Sequence, residues 1–70
     1  MISEIDLQDW VIYPTTTLNK VKDGEHFSLN GMIYQLKSKE GLFTVCYDLN
    51  GRMANFNVFL DVNPLKRKEN

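Results

Sequence analysis

From Gly24 to Pro64 apolar and polar residues alternate with a period of two, and the alternation pauses at Asn30-Gly31, Glu40-Gly41 and Asn50-Gly51. A period of two sends successive side chains to opposite faces of a strand, so the pattern predicts short antiparallel strands joined as a meander. Asp23-Gly24 marks a further turn ahead of the first of them. Asn-Gly is the strongest of these signals: both central residues of a type I′ turn take positive φ, which Asn tolerates and Gly accepts freely.

The alternation also assigns faces. Phe27 and Leu29 share one face of the first strand, and Met32, Tyr34 and Leu36 form the inward set of the return strand, with Ile33, Gln35, Lys37 and Lys39 outward. In the next strand Phe43, Val45, Tyr47 and Leu49 are expected in the core and Leu42, Thr44, Cys46 and Asp48 outside it. Ala54, Phe56, Val58, Leu60 and Val62 then point inward, opposed by Met53, Asn55, Asn57, Phe59 and Asp61, until Asn63-Pro64 ends the run. A sheet with so apolar a face is expected to bend and hide both that face and its edges. The predicted class is therefore mainly β: a small SH3-like barrel or strongly bent antiparallel meander of about four or five strands. The competing architecture is a helix packed on a flat antiparallel sheet.

Residues 1–14 read differently. Ile2, Ile5, Asp9 and Ile12 sit near helical spacing, which predicts a short helix ending before Pro14, while Ile5, Leu7, Val11 and Tyr13 fit strand alternation equally well. The chain thus divides into an N-terminal helix or arm at 1–14, an antiparallel β domain at 15–65 and a basic tail at 66–70.

With 70 residues the chain is one domain near the lower limit for a single core, so most apolar side chains are needed inside. A formal charge of −1 argues against general affinity for nucleic acid, although Glu4, Asp6 and Asp9 at one end contrast with Lys66, Arg67 and Lys68 at the other. Cys46 is the single cysteine, which excludes an intramolecular disulfide and fits a reducing compartment. With neither a signal-peptide pattern nor an apolar run long enough to span a bilayer, the expected location is the cytoplasm.

Catalytic chemistry is poorly supplied. His26 has no second histidine and no nearby cysteine with which to hold a metal, and its parity suggests a solvent-facing ring. Cys46 lies in mid-strand with no basic neighbour to lower its pKa, and Asp48 precedes Asn50-Gly51, where a carboxylate caps a turn. The dispersed glycines form no phosphate-cradling loop. No catalytic residue, metal or cofactor is expected. Lys20 and Lys22, and again Lys37 and Lys39, have period-two spacing and with Arg52 make a candidate basic stripe for phosphates. Ile33, Met53 and Phe59 have outward parity; with Trp10 and Tyr13 they make a candidate surface for a protein, unless Trp10 and Tyr13 fold back to cover them.

The run from Val21 through Asp23-Gly24, Phe27, Asn30-Gly31 and Tyr34, followed by Val45 to Gly51 and Val62-Asn63-Pro64, resembles small uncharacterised accessory proteins of tailed bacteriophages. The shared residues are turn glycines and core aromatics, so the resemblance implies an all-β fold and a phage origin but no mechanism. It implies the usual role of such proteins: a stoichiometric inhibitor or modulator of a host protein, acting by occupying a surface. The expected function is a non-enzymatic protein-binding module using Glu4, Asp6, Asp9, Trp10, Tyr13, Ile33, Met53 and Phe59. The alternatives are a nucleic-acid-binding small barrel using Lys20, Lys22, Lys37, Lys39 and Arg52, and a homo-oligomeric virion or structural component.

Overall fold

The computed structural model describes residues 9–68. They form seven strands and one short 3-10 turn: β1 (Trp10–Ile12), β2 (Thr16–Thr17), the turn (Leu18–Lys20), β3 (His26–Leu29), β4 (Met32–Glu40), β5 (Phe43–Asp48), β6 (Met53–Asn57) and β7 (Asp61–Arg67). Every pairing is antiparallel, in the order β1-β7-β3-β4-β5-β6, with β2 on the other end of β7. The chain is mainly β, as the alternation predicts. Only β3 to β6 form the simple meander; β7 returns to lie between β1 and β3.

The turns follow local chemistry. Asn30 and Gly31 have φ of 53° and 81°, the pair of positive values a type I′ hairpin requires. The Asp48 carboxylate accepts from the backbone N–H of Asn50 (2.8 Å) and Arg52 (2.9 Å), and so organises the β5–β6 hairpin.

The expected helix ending before Pro14 is corrected where it can be seen, since Trp10–Ile12 is a strand paired with Arg67, Lys66 and Leu65. Pairing with a strand already in the sheet satisfies backbone groups that so short a helix would leave open. The extra residue around Pro14 is absorbed by Asn63, whose side-chain amide donates to the Tyr13 carbonyl (3.1 Å) and the Thr15 hydroxyl (3.0 Å). Lys66 and Arg67 likewise belong to β7 rather than to a tail.

Cross-strand partners share a face. The inner face carries Phe27, Tyr34, Leu36, Thr44, Cys46, Ala54 and Phe56, and Leu18 and Val21 from the 3-10 turn and its exit pack on it. Phe27, Tyr34 and Phe56 form an aromatic cluster with centroids 5.0 to 6.3 Å apart. The outer face carries a continuous row, Ile12, Leu65, His26, Gln35, Tyr47 and Met53.

Face assignment is where the sequence reading fails. Thr44 and Cys46, expected outside, are both fully buried, whereas Phe43 and Leu49, expected in the core, are each 56% exposed. The alternation of β5 is as predicted and its sign is reversed. Pairing of Leu36 with Cys46 and of Cys46 with Ala54 fixes that sign, because one face of β5 must match the inner faces of both neighbours. The Thr44 hydroxyl can sit in the core because it donates to the Phe56 carbonyl (3.0 Å) and lies 3.2 Å from the Cys46 sulfur. The faces of β4 are as expected, with Tyr34 and Leu36 inward and Ile33 outward, but Met32 at the hairpin end is exposed and Ile33 is buried on the outer face. Loop residues Leu60 and Phe59 are both exposed, so the predicted inward position of Leu60 is also lost.

Candidate functional site

The outer face has two halves with different fates. On the β1, β7, β3 and β4 side it is sealed by Trp10, which packs with Ile33 and Leu65 in a second small core. The His26 ring lies 4.8 Å from the Trp10 ring, and the Arg67 guanidinium stands 4.4 Å above it in a cation–π contact. Burial lowers the His26 pKa from its ordinary value, and the neighbouring Arg67 charge lowers it further. Beside this cluster Lys66 donates to the Glu25 carboxylate at 3.0 Å, which lowers the Glu25 pKa and raises that of Lys66.

Two members of the expected protein-binding set are thereby corrected. Trp10 and Ile33 are 5% and 7% exposed and spend their apolar surface on each other and Leu65, so neither offers a surface to a partner. Covering of Ile33 by Trp10 is the alternative the sequence reading left open. Tyr13, Met53 and Phe59 are exposed, as is Asp9, whose carbonyl accepts from the Lys68 N–H. Glu4 and Asp6 lie outside the described residues. His26 is half-buried rather than solvent-facing, because Trp10 lies against it.

Among the described residues nothing comparable covers the β5–β6 half of the outer face. Phe43, Val45 and Tyr47 project along β5, with Met53 beside Tyr47 on β6. Phe43 and Met53 are exposed, and Val45 and Tyr47 half-buried. At the Phe43 end the stripe meets Leu42 and Phe59, exposed residues of two loops joined by the bond from Val58 N–H to Leu42 carbonyl (2.9 Å). At the Tyr47 end it meets an open depression of about 400 Å³ lined by Asp23, Gly24, Gln35, Leu36, Lys37 and Tyr47. Gln35 forms part of that wall by donating its amide to the Gly24 carbonyl at 3.0 Å. Alternation alone puts Phe43, Val45 and Tyr47 in the core and Leu42, Met53 and Phe59 outside it, so the stripe emerges only when the sign of β5 is reversed.

The lysines do not form the expected stripe. Lys37 is the extra residue of a bulge between Leu36 and Ser38, after which Lys39 stands opposite Thr44 on the inner-face row. Its ammonium donates to the Asn19 carbonyl at 3.0 Å. Lys20, Lys22 and Arg52 are exposed, but Asp23 and Glu25 stand in the same turn as Lys22, whose backbone N–H donates to the Glu25 carboxylate.

Cys46 is buried and burial pushes its thiol pKa up, against the opposing Thr44 hydrogen bond; such a thiol is a packing residue rather than a nucleophile. Among the described residues no group of three or more His, Cys, Asp or Glu side chains could hold a metal ion, and no helix is long and apolar enough to cross a membrane. Fold and surface together define a class and no more: a small mainly-β domain with an apolar stripe on one half of its outer face that none of the described residues covers. No protein family model, curated protein or solved structure matches the chain.

Proposed function

We propose that this protein is a non-enzymatic binding module that engages another protein through the outer face of its β5–β6 hairpin. The observation that carries this reading is the reversed sign of β5: Thr44 and Cys46 occupy the core while Phe43, Val45 and Tyr47 face outward. A chain this small gains stability by burying its largest side chains, so an aromatic row outside the core is better explained by contact with a partner. Met53, Phe59 and Leu42 extend the surface, and Tyr13 lies on the β1 edge apart from it.

The resemblance to small tailed-phage proteins supplies the partner class, a host protein, with stoichiometric inhibition or modulation as the mode of action and the bacterial cytoplasm as the location. The finer fold reading, an SH3-like barrel or strongly bent meander, is supported by two backbone bonds. Leu18 N–H donates to the Leu60 carbonyl and Asn19 N–H to the Val58 carbonyl, which brings the 3-10 turn over the β6–β7 connection.

The test is capture from bacterial lysate with the wild-type chain and a Phe43→Ser/Tyr47→Ser variant, each with and without nuclease. A stoichiometric protein retained by the wild type in both arms and lost from the folded variant is the expected result. Retention only without nuclease favours nucleic acid, and equal retention by the variant removes the stripe from the interface.

A further inference from the structure

Beside the stripe, β6 ends the sheet formed by the described residues, and its edge is built differently from the other. At the opposite end, β1 spans only Trp10–Ile12, is followed by Pro14 and runs beside Lys66 and Arg67, all devices that discourage strand addition. β6 reads Met-Ala-Asn-Phe-Asn over Met53–Asn57, with neither charge nor proline nor bulge.

Which backbone groups are open follows from the ladder. Asp48 N–H donates to the Arg52 carbonyl, so Asp48 and Arg52 are a hydrogen-bonded pair. Hydrogen-bonded pairs recur at every second residue, which makes Cys46 with Ala54 and Thr44 with Phe56 the next two. The N–H and C=O groups of Met53, Asn55 and Asn57 therefore point away from β5. The Asn57 carbonyl already accepts from Leu60 N–H at 3.1 Å. Among the described residues the N–H and C=O groups of Met53 and Asn55 have no partner.

We propose that this edge pairs with the same edge of a second copy of the chain, antiparallel about a two-fold axis at Ala54. In that register Met53 of each copy stands opposite Asn55 of the other, and the open groups of both residues are satisfied by four hydrogen bonds. The register with its axis at Asn55 would call on the Asn57 carbonyl that Leu60 already occupies. The axis passes between two alanines, small enough for close approach, and an uncharged strand meets its own copy without repulsion. Pairing joins the two sheets edge to edge and sets the two outer faces side by side. Met53 then lies at the junction. The inference is independent of the partner proposed above, because it is tested without one.

The experiment is amide exchange by NMR on the full chain over a concentration series, with mass measured by sedimentation at each point. The mass should rise from 8.2 kDa toward twice that value. The Met53 and Asn55 amides should slow in parallel, roughly tenfold when a tenth of the chain remains free. Met53→Lys places a charge on the edge from a side chain 62% exposed and should remain folded and monomeric. Asn55→Pro, which removes an N–H that β5 does not use, should do the same; if it fails to fold, Met53→Lys decides. A single-chain mass throughout overturns the proposal. So does a dimer whose Met53 and Asn55 amides exchange as in dilute solution, or one that Met53→Lys leaves intact.

Discussion

Trp10 contacts both the Arg67 guanidinium and the His26 ring and packs on Ile33 and Leu65, so its loss should act on stability before it acts on binding. Trp10→Ala should cost about 3 to 5 kcal/mol in urea unfolding, a large part of the total for a chain of this size. Tyr13→Ala, on an exposed side chain, should cost about 1 kcal/mol or less. Equal, small effects would remove Trp10 from the core. The same cluster gives a pH dependence. The folded His26 pKa lies below its ordinary 6.5, so the unfolded chain binds the proton more readily. The contribution is fully present above pH 6.5 and is lost as pH falls through the depressed folded value. Glu25, also depressed, adds stability that is present above 4.5 and lost on further acidification. Unfolding followed from pH 8 to 5 should show the first loss, and His26→Phe should abolish it; an unchanged slope in that variant would assign the loss elsewhere.

Elements divide into those that local chemistry determines and those that long-range pairing determines. The hairpin at Asn30-Gly31 belongs to the first kind, and Gly31→Ala, which puts a Cβ on a residue at φ 81°, should destabilise by about 1 to 2 kcal/mol in urea unfolding. A neutral result would mean that the turn relaxes to another type. This hairpin was legible because two adjacent residues carry the information. The face of β5 was not. Period two separates Phe43, Val45 and Tyr47 from Thr44 and Cys46, yet the choice of inner set depends on register with β4 and β6, which no local pattern encodes. The Lys37 bulge has the same origin, and it separates two lysines that simple alternation would put on one face. The strand at Trp10–Ile12 was open between helix and strand because its partner, Leu65–Arg67, lies at the far end of the sequence.

For the whole molecule, the reversed β5 sorts side chains into those that hold the fold and those that remain on its surface. Phe43→Ser should change stability by about 1 kcal/mol or less despite the loss of a phenyl ring, because that ring is 56% exposed. Thr44→Asp, which introduces a charge into the core, should prevent folding. Circular dichroism and urea unfolding of the pair read the contrast directly, and comparable damage from both would contradict the face assignment. The most direct measurement of that assignment uses the single thiol. Cys46 is fully buried on the face opposite Phe43 and Tyr47, so a thiol reagent should label the native chain on the order of a thousandfold more slowly than the urea-unfolded chain. Labelling should accelerate with urea as the fold opens. Labelling of the native chain at nearly the unfolded rate would put Cys46 outside and the aromatic row inside, and the proposed binding surface would go with it.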